Sequence, residues 1–470
     1  MRNERAYRTR NRSEKKRNNY SDVVIVGGGA SGLAAAIVLG LRAPDICVTL
    51  IEKNAEPGRK IRATGSGRCN ISNVSASGYD EILGFFGRIG LATRVYDNGL
   101  VYPYSESAAD VADLLTERAI EVGVRIITDA VVTDISRAET GREPGSVCFV
   151  TEYSVSTADG RAGKGKESKD IAKDKDKVKA KAADGRNSGG HSEKLCSEYL
   201  ILACGGKAGP MFGTTGDGYR LARGSGHSIV TPVPVLTSIE CREWDKDCRP
   251  NGISLAGTRT RGRVSLTGRS SGRNSGEILF EETGEIQFTR FGLSGICVFN
   301  MSRHMRYDRS TGGSLDDFII EADLHPDGDI REFLKMRRAN AFAGESAGGL
   351  LRTVLKNNIA EYIIARAGIA GDKAAAELDD KDIEAVAESV HRLVFRPSAV
   401  RGWKEAQATS GGVSLKEIDD KTCESLVSPG LYITGELADR DFPCGGFNLS
   451  NAWLTGMHAA EAIAGKYKYK

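Results

Sequence analysis

Residues 22–32 read Asp-Val-Val-Ile-Val-Gly-Gly-Gly-Ala-Ser-Gly, and few folds can carry that run. The apolar residues 23–26 read as a parallel strand covered on both faces. Gly27, Gly29 and Gly32 satisfy G-x-G-x-x-G. The small-residue run 33–39 reads as the following helix. A second apolar run, 46–51, ends at Glu52, twenty residues after Gly32. Strand, glycine turn, helix, strand and acid in this order are the layout of a dinucleotide-binding unit. Gly27 permits the tight turn, Gly29 has no side chain to block a pyrophosphate, and Gly32 lets helix and strand pack closely. The helix start at Ala30 and Ser31 offers unpaired N–H groups and a positive dipole end to phosphates. Glu52 can accept hydrogen bonds from ribose hydroxyls. These residues alone fit NAD and FAD equally.

At 470 residues the chain can hold two or three domains, and its 27% charged content is that of an ordinary soluble protein. No apolar run reaches the length of a membrane span. The net charge is +3, but the first twenty residues hold eight Lys/Arg against Glu4 and Glu14, which leaves the body slightly acidic. The body is therefore no general binder of nucleic acid or anionic membrane. The tail 1–20 has no apolar core and so is no secretory signal. It reads as a solvated, disordered segment, with a nucleic-acid arm as the alternative. The ten Cys show no C-x-x-C and no zinc spacing, Cys241 and Cys248 included. They read as reduced thiols of a cytoplasmic protein, with no metal site.

Residues 59–73, Arg59-Lys60-Ile61 through Thr64-Gly65-Ser66-Gly67-Arg68-Cys69-Asn70 to Asn73, are too rich in Gly and cations for regular structure. They read as a loop whose backbone approaches a ligand. A helix is expected over 108–122, capped by Ser105 or Ser107. Strands follow at 124–135 and 147–155, and 199–204 is a buried strand ending at Gly205 and Gly206. Residues 157–194 lose almost all apolar character and read as a disordered insertion in a hairpin loop. From 229 to 328 the chain turns β-rich, with strands at 252–264, 277–282 and 285–289, as in a small antiparallel barrel or sheet. From 329 to 403 it turns helical, with helical spacing at 351–365 and 383–393. Residues 404–470 return to α/β character: a hairpin-like stretch at 408–413, a strand ending at Gly435 and Glu436, then Gly445-Gly446-Phe447-Asn448 before a small-residue helix, 451–464. Residues 21–228 and 404–470 thus make one α/β domain interrupted by two inserts.

Several of these stretches resemble a known family: Arg59-Lys60-Ile61 with Thr64-Gly65-x-Gly67-Arg68-Cys69-Asn70, then Phe288-Thr289 with Gly292-Leu293-Ser294-Gly295. The blocks Gly411-Gly412-Val413, Glu424-Ser425, Pro429-Gly430-Leu431-Tyr432, Gly435-Glu436 and 445–449 add to it. The chain is similar to the FAD-binding oxidoreductases of the aminoacetone-oxidase-like and bile-acid Δ4,6-reductase-like type (BaiN/RdsA type). The resemblance covers nearly everything outside 1–20 and 157–194. It implies an FAD-binding Rossmann domain of the glutathione-reductase type, a β-barrel-like insert and a helical insert. Arg290 and Ile296 stand where the family often has His and Pro, and 440–444 also departs. A relative's substrate therefore does not transfer.

FAD is the better fit on the residues as well. The 65–70 loop and the 435–448 block lie near opposite ends of the chain, and both need a ligand longer than one nucleotide. FAD would lie with 27–32 under its pyrophosphate and Glu52 on its ribose. Val131 and Val132 would bracket adenine or else belong to plain core. Lys53, Arg59 and Lys60 would offset phosphate charge, and 64–70 would pass beside the ribityl chain with Glu436 on its hydroxyls. The N–H groups of 445–448 at a helix start would face the flavin and stabilise negative charge on it. No proton donor stands out among Tyr102, Tyr104, Arg68, Cys69 and Arg290. Cys69 lacks the second Cys of a disulfide reductase. His227, His325 and His391 lack triad or ligand spacing. There is no second dinucleotide fingerprint, so NAD(P)H, if it is the reductant, must bind transiently. The function read from this is an FAD-dependent oxidoreductase acting on a small organic molecule by hydride transfer, reducing a conjugated double bond or oxidising an amine or alcohol. A flavin-bearing RNA-binding or RNA-modifying protein, and a protein with purely structural FAD, are the alternatives.

Overall fold

The computed structural model describes residues 19–139, 147–155, 191–244, 252–268, 276–305 and 314–468. Most of the basic tail, residues 157–190 of the expected insertion, and Cys248 lie outside them. The chain opens with β1 (Tyr20–Val26), α1 (Ala30–Arg42) and β2 (Val48–Ile51). Val23, Val24 and Ile25 expose no surface, because both faces of β1 are covered, hence the unbroken apolar run. A 3-10 turn (Ile61–Gly67) leads to β3 (Ser72–Asn73), α2 (Tyr79–Ile89), β4 (Thr93–Val95), β5 (Leu100–Pro103), α3 (Ala108–Glu121) and β6 (Arg125–Ile127). Of the two expected caps for α3, Ser107 is used: its hydroxyl accepts from the Asp110 N–H at 3.2 Å. β7 (Ala130–Glu139), β8 (Val147–Val155) and β9 (His191–Leu202) follow. The expected strand 124–135 is in fact two, β6 and β7. Asp129, in the left-handed region at φ +52°, breaks them, and they join different neighbours. Residues 191–194 belong to β9, so the insertion ends earlier than expected.

Next come α4 (Asp217–Gly224), β10 (Ile229–Val235), β11 (Ile239–Cys241), β12 (Arg259–Gly268), β13 (Ile278–Phe288), β14 (Gly292–Ser294), α5 (Ile296–Ser302) and β15 (Phe318–Asp323). After them come α6 (Arg331–Ala339), α7 (Asn357–Arg366), α8 (Asp380–His391), β16 (Leu393–Phe395), β17 (Pro397–Val400), β18 (Ala408–Val413), β19 (Leu431–Ile433) and α9 (Phe447–Lys468).

β6, β2, β1, β9 and β19 run parallel in that order, and β8 and β7 extend the sheet antiparallel from the first half of β9. Thus both chain ends build one sheet, and α9 packs along α1. β10 and β18 pair where the chain leaves and re-enters this domain. The remaining strands form an antiparallel sheet in the order β16-β15-β12-β13-β14-β11-β17. Only Arg396 separates its two outer strands in the chain, so the sheet curls toward a closed barrel. Two expected strands, 277–282 and 285–289, are one continuous β13, and the strand expected at 252–264 begins only at Arg259. β16 and β17 lie within the stretch expected to be helical. Strands of three or four residues are too short to show a period. Leu334, Ile359, Ile363 and Val386 share one core with Ile286, Phe288 and Phe395, so the helices are packed on the barrel.

Candidate functional site

The glycine turn is filled where the fold needs it and open where a ligand would. A Cβ on Gly27, at φ +107°, would sit 2.5 Å from the Ala203 carbonyl oxygen, and one on Gly32 would sit 2.0 Å from that of Gly27. A Cβ on Gly29 would meet nothing within 4 Å. Gly29 caps α1 without a side-chain hydrogen bond, and no acid occupies the first turn of α1. The first N–H groups of α1 thus have neither an intrahelical acceptor nor a capping side chain. Glu52, 7% exposed, is held on both oxygens. Oε2 accepts from the Gly28 N–H at 2.7 Å, and Oε1 from the Asn54 N–H at 2.8 Å and its amide at 2.6 Å. An open anion cradle beside a fixed carboxylate fits the adenosine diphosphate half of FAD.

The expected cations all have protein partners. Lys53 bridges Asp217 and Thr215, Arg59 donates to the Asn54 side chain at 3.2 Å, and Lys60 pairs with Glu436 at 2.7 Å. Glu436 also accepts from the Thr409 N–H at 2.6 Å. Gly206 packs against both: a Cβ there would lie 2.4 Å from Thr409 Oγ1 and 2.9 Å from Glu436 Cδ. Gly205, at φ +69°, has only Thr214 nearby. Gly435 abuts Ser31, whose Oγ would lie 3.0 Å from an added Cβ.

Residues 64–70 and the start of α9 are stitched together. Gly65, Ser66, Gly67 and Cys69 all have positive φ, and the Cys69 N–H closes the turn on the Thr64 carbonyl at 3.0 Å. The Asn70 amide donates to the Ser72 and Val101 carbonyls at 2.9 and 3.2 Å and accepts from the Gly446 N–H at 3.0 Å. Asn73 donates to the Gly445 carbonyl at 3.1 Å, the Ser72 and Ser450 hydroxyls meet at 2.9 Å, and Trp453 donates to the Ile71 carbonyl at 3.0 Å. Helix geometry leaves the N–H groups of Phe447 and Asn448 without intrahelical acceptors.

The side chains of three expected residues are engaged within the protein. Val132 lies in the apolar core at 6% exposure, whereas Val131 is 40% exposed, because strand alternation sends neighbours to opposite faces. Asn448 uses its side chain on the 442–443 loop, accepting from the Phe442 N–H at 3.1 Å and donating to its carbonyl at 2.8 Å. Cys69 exposes no surface, and burial pushes its thiol up to about 11, so it is no ready nucleophile or proton donor. Tyr102 lies buried under Arg68, and Tyr104 is 64% exposed.

Beyond Asn448 an open cleft of about 580 Å³ is lined by Arg303, His304, Asp439, Arg440, Asp441 and Phe442. One wall follows α5; the other precedes α9. Arg303 joins them, with Nε 2.7 Å from an Asp441 carboxylate oxygen and a terminal nitrogen 2.9 Å from the Asp441 carbonyl. Asp441 also takes the Ser410 hydroxyl, Asp439 accepts from the Gly411 N–H at 2.9 Å, and Arg440 pairs with Asp420. The cleft's charges are thus balanced internally. His304 stacks on Phe280 at 4.8 Å. The cleft walls hold its pKa below the ordinary value, and Arg303 pushes the same way against Asp441. Sequence reasoning pointed to 440–444 but missed Arg303 and His304, which only tertiary packing brings there.

The other histidines do have partners in space. His227 lies between Ser425 Oγ at 2.9 Å and Glu417 at 3.2 Å. Ser425 Oγ is buried and already accepts from the Ser428 N–H at 2.7 Å, which makes this a structural chain. His391 meets Asp323 at 3.0 Å. Among the described residues no helix is long and apolar enough to cross a membrane, no acid, His or Cys cluster could hold a metal, and every cysteine is free.

Comparison with known proteins gives matches along nearly the whole chain. Residues 146–462 match the HI0933-like protein Rossmann domain family. A 3-dehydro-bile acid Δ(4,6)-reductase of Clostridium scindens is 31% identical over 94% of this chain and 98% of its own length. A ribosomal RNA dihydrouridine synthase of Haemophilus influenzae is 25% identical, covering 95% of this chain and 99% of its own. Among solved structures, a 3-ketosteroid-Δ4-(5α)-dehydrogenase of Rhodococcus jostii superposes over 95% of this chain and 97% of that one, with a TM-score of 0.47 at 12% identity.

Proposed function

This chain belongs to the HI0933-like Rossmann-domain family and is an FAD-dependent oxidoreductase, and from that premise we propose that it reduces a carbon–carbon double bond conjugated to a carbonyl in a small organic substrate. The names of the bile-acid reductase and the dihydrouridine synthase both describe saturating such a bond. Neither name supports oxidation of an amine or alcohol. The observation that carries the small-molecule reading is the cleft between the end of α5 and the 439–442 segment ahead of α9. Its two arginines face two aspartates, so it presents little net charge to a polyphosphate chain. We place the protein in the cytoplasm, a reading supported by its free described cysteines.

Bound FAD would supply the hydride, and solvent the proton that completes saturation of the bond. The chain's residues orient and polarise. The open N-terminus of α1 would hold the pyrophosphate and Glu52 the ribose. Lys60 and Glu436 would flank the ribityl region. The first N–H groups of α9 would favour negative charge on the flavin. His304, neutral and fixed in plane by Phe280, presents an N–H to the substrate carbonyl oxygen and draws electron density from the double bond. The Arg303–Asp441 pair holds that wall in position.

The test is anaerobic. Enzyme reduced with dithionite is mixed with 3-oxo-Δ4 and 3-oxo-Δ4,6 steroids, with simpler cyclic enones, and with ribosomal RNA fragments. The small-molecule reading expects an enone to restore the oxidised flavin spectrum. The Haemophilus relative favours a second reading, reduction of uridine in RNA. Reoxidation by RNA but by no enone would establish that reading instead.

A further inference from the structure

A second surface, on the β4–β5 hairpin, is linked to the start of α9 through Gly65 and Asn70. β4 and β5 pair with Arg94 opposite Tyr102. Continuing that register, the Tyr96 N–H bonds the Leu100 carbonyl at 2.9 Å and the Tyr104 N–H that of Ala92 at 3.0 Å. Strand alternation then puts Arg94, Tyr96, Tyr102 and Tyr104 on one face. Their contacts agree. The Arg94 guanidinium lies 5.0 Å from the Tyr96 ring centre and 5.7 Å from that of Tyr104, and Tyr96 meets Tyr102 edge-on at 5.3 Å. Arg68 from the 64–70 turn covers Tyr102 at 4.9 Å.

Two features of this face are unfinished for a purely structural cluster. Tyr104 presents 64% of its surface to solvent although two rings and two guanidinium groups are gathered beside it. The charges are not balanced either. Glu106 is the acid that Arg94, Arg68 and the Tyr96 hydroxyl share; Arg68 reaches it only at 3.9 Å, and Arg94 Nε is buried without a hydrogen-bond partner. The patch therefore offers an exposed ring, a loosely held cation and a net positive charge. That combination suits a planar heterocycle joined to a phosphate.

Its position adds to this. Tyr102 lies 3.3 Å from where a Cβ on Gly65 would be, and Gly65 in turn backs onto the Asn70 N–H. The Asn70 amide holds the Gly446 N–H. The patch and the cleft thus reach residues 445–448 from two sides, through Asn70 and through Asn448 respectively. An oxidoreductase whose cofactor is reduced by one molecule and reoxidised by another can use two such approaches, and the chain has no second Rossmann fingerprint to bind a dinucleotide.

We propose that the face formed by Arg68, Arg94, Tyr102 and Tyr104 docks a nicotinamide dinucleotide, with a ring stacked on Tyr104 and a phosphate on Arg68. The docked molecule gives a hydride, two electrons with one proton, from its dihydronicotinamide C4 to the FAD. It leaves as the oxidised dinucleotide, and solvent supplies the second proton. This rests on the proposed reductase reading, and the two can fail separately.

The experiment titrates the FAD-loaded protein with NADP+, NAD+ and a uridine-rich oligoribonucleotide by calorimetry, and bleaches bound FAD with NADPH and NADH in anaerobic stopped flow. Tyr104→Ala and Arg68→Gln should each weaken dinucleotide binding about tenfold, the effect of losing one stacking ring or one phosphate contact. For Tyr104→Ala the limiting bleaching rate should change much less. Tyr104→Phe should restore affinity. Equal affinities across wild type and variants overturn the proposal. So does loss of oligoribonucleotide binding in Tyr104→Ala with dinucleotide binding intact. If neither dinucleotide binds or bleaches the wild-type flavin, but an enone reoxidises dithionite-reduced enzyme, the docking site is overturned and the reductase reading stands. Bleaching by NADPH without reoxidation by any enone removes the reductase reading and leaves the docking site.

Discussion

A methyl group added at Gly29 and one added at Gly32 would meet opposite surroundings. The first points into open space, with φ −82° at the helix cap, a value any L-residue adopts. The second would press on the Gly27 carbonyl at 2.0 Å. Gly32→Ala should therefore lower the stability of FAD-free protein by about 1–3 kcal/mol, as overpacking does. Gly29→Ala should leave that melt within about 0.5 kcal/mol of wild type yet reduce bound flavin, read from absorbance per protein. Equal melts for the two variants would refute the distinction. The fingerprint gives Gly29 to a ligand and Gly32 to packing, and the surroundings put distances on that division. The place of Glu52 after β2 was legible too. Which of Val131 and Val132 belongs to the core was not, since alternation decides it only once the buried face of the strand is known, and His304 gave no local signal at all. His227 supports a second prediction. Burial, the largest influence, holds its pKa below the ordinary value although Glu417 opposes that. The folded pKa is the lower one, so as pH falls the unfolded chain takes the proton first, and this stabilisation is lost below about pH 6.5. His227→Gln should flatten the drop in urea midpoint between about pH 6.5 and 5. An unchanged slope would assign that drop to other groups.

The start of α9 depends on a side chain far away in sequence. The Asn70 amide answers two carbonyls and the Gly446 N–H within a buried junction. Asn70→Ala leaves those groups unpaired, and a loss of about 2–4 kcal/mol is expected in urea denaturation, together with weaker flavin retention. Asn70→Asp should not rescue, because a carboxylate cannot donate to the Ser72 and Val101 carbonyls and would be ionised against them. Full rescue by Asp would mean that the Gly446 contact alone matters. At this scale the sequence is legible where a helix has both a period and a cap. α3 runs from Ala108 with Ser107 on its first turn. It is illegible where pairing partners are distant. β16 and β17 look like the tail of a helical stretch until β15 and β11 claim them. The Gly-Gly-Phe-Asn block announced a helix start, and α9 begins there; that Asn448 is tied to Phe442 followed only from the folded loop.

Lys60 and Glu436 are 376 residues apart and pair at 2.7 Å, so the cofactor domain closes only when both chain ends are present. The barrel and its helices are inserted between those ends and share a core of their own, separate from the clusters on either side of the parallel sheet. β10 and β18 join the two bodies, and the Arg303–Asp441 pair fastens them across the cleft. FAD touching only the sheet domain would stabilise that domain by mass action and the insert little. Calorimetry should then resolve two unfolding transitions, with added FAD raising one and leaving the other within a degree or two. Arg303→Ala tests the fastening. It leaves Asp441 with the Ser410 hydroxyl but without its cation, and it removes the contact that sets the distance between the cleft walls. Substrate KM should rise about tenfold or more with a smaller change in kcat, since the lost contact positions rather than reacts. The two transitions should also separate further as the bodies uncouple. If FAD moves both transitions equally in wild type, and Arg303→Ala separates neither, then the bodies fold as one unit and the cleft is a fixed groove rather than a joint.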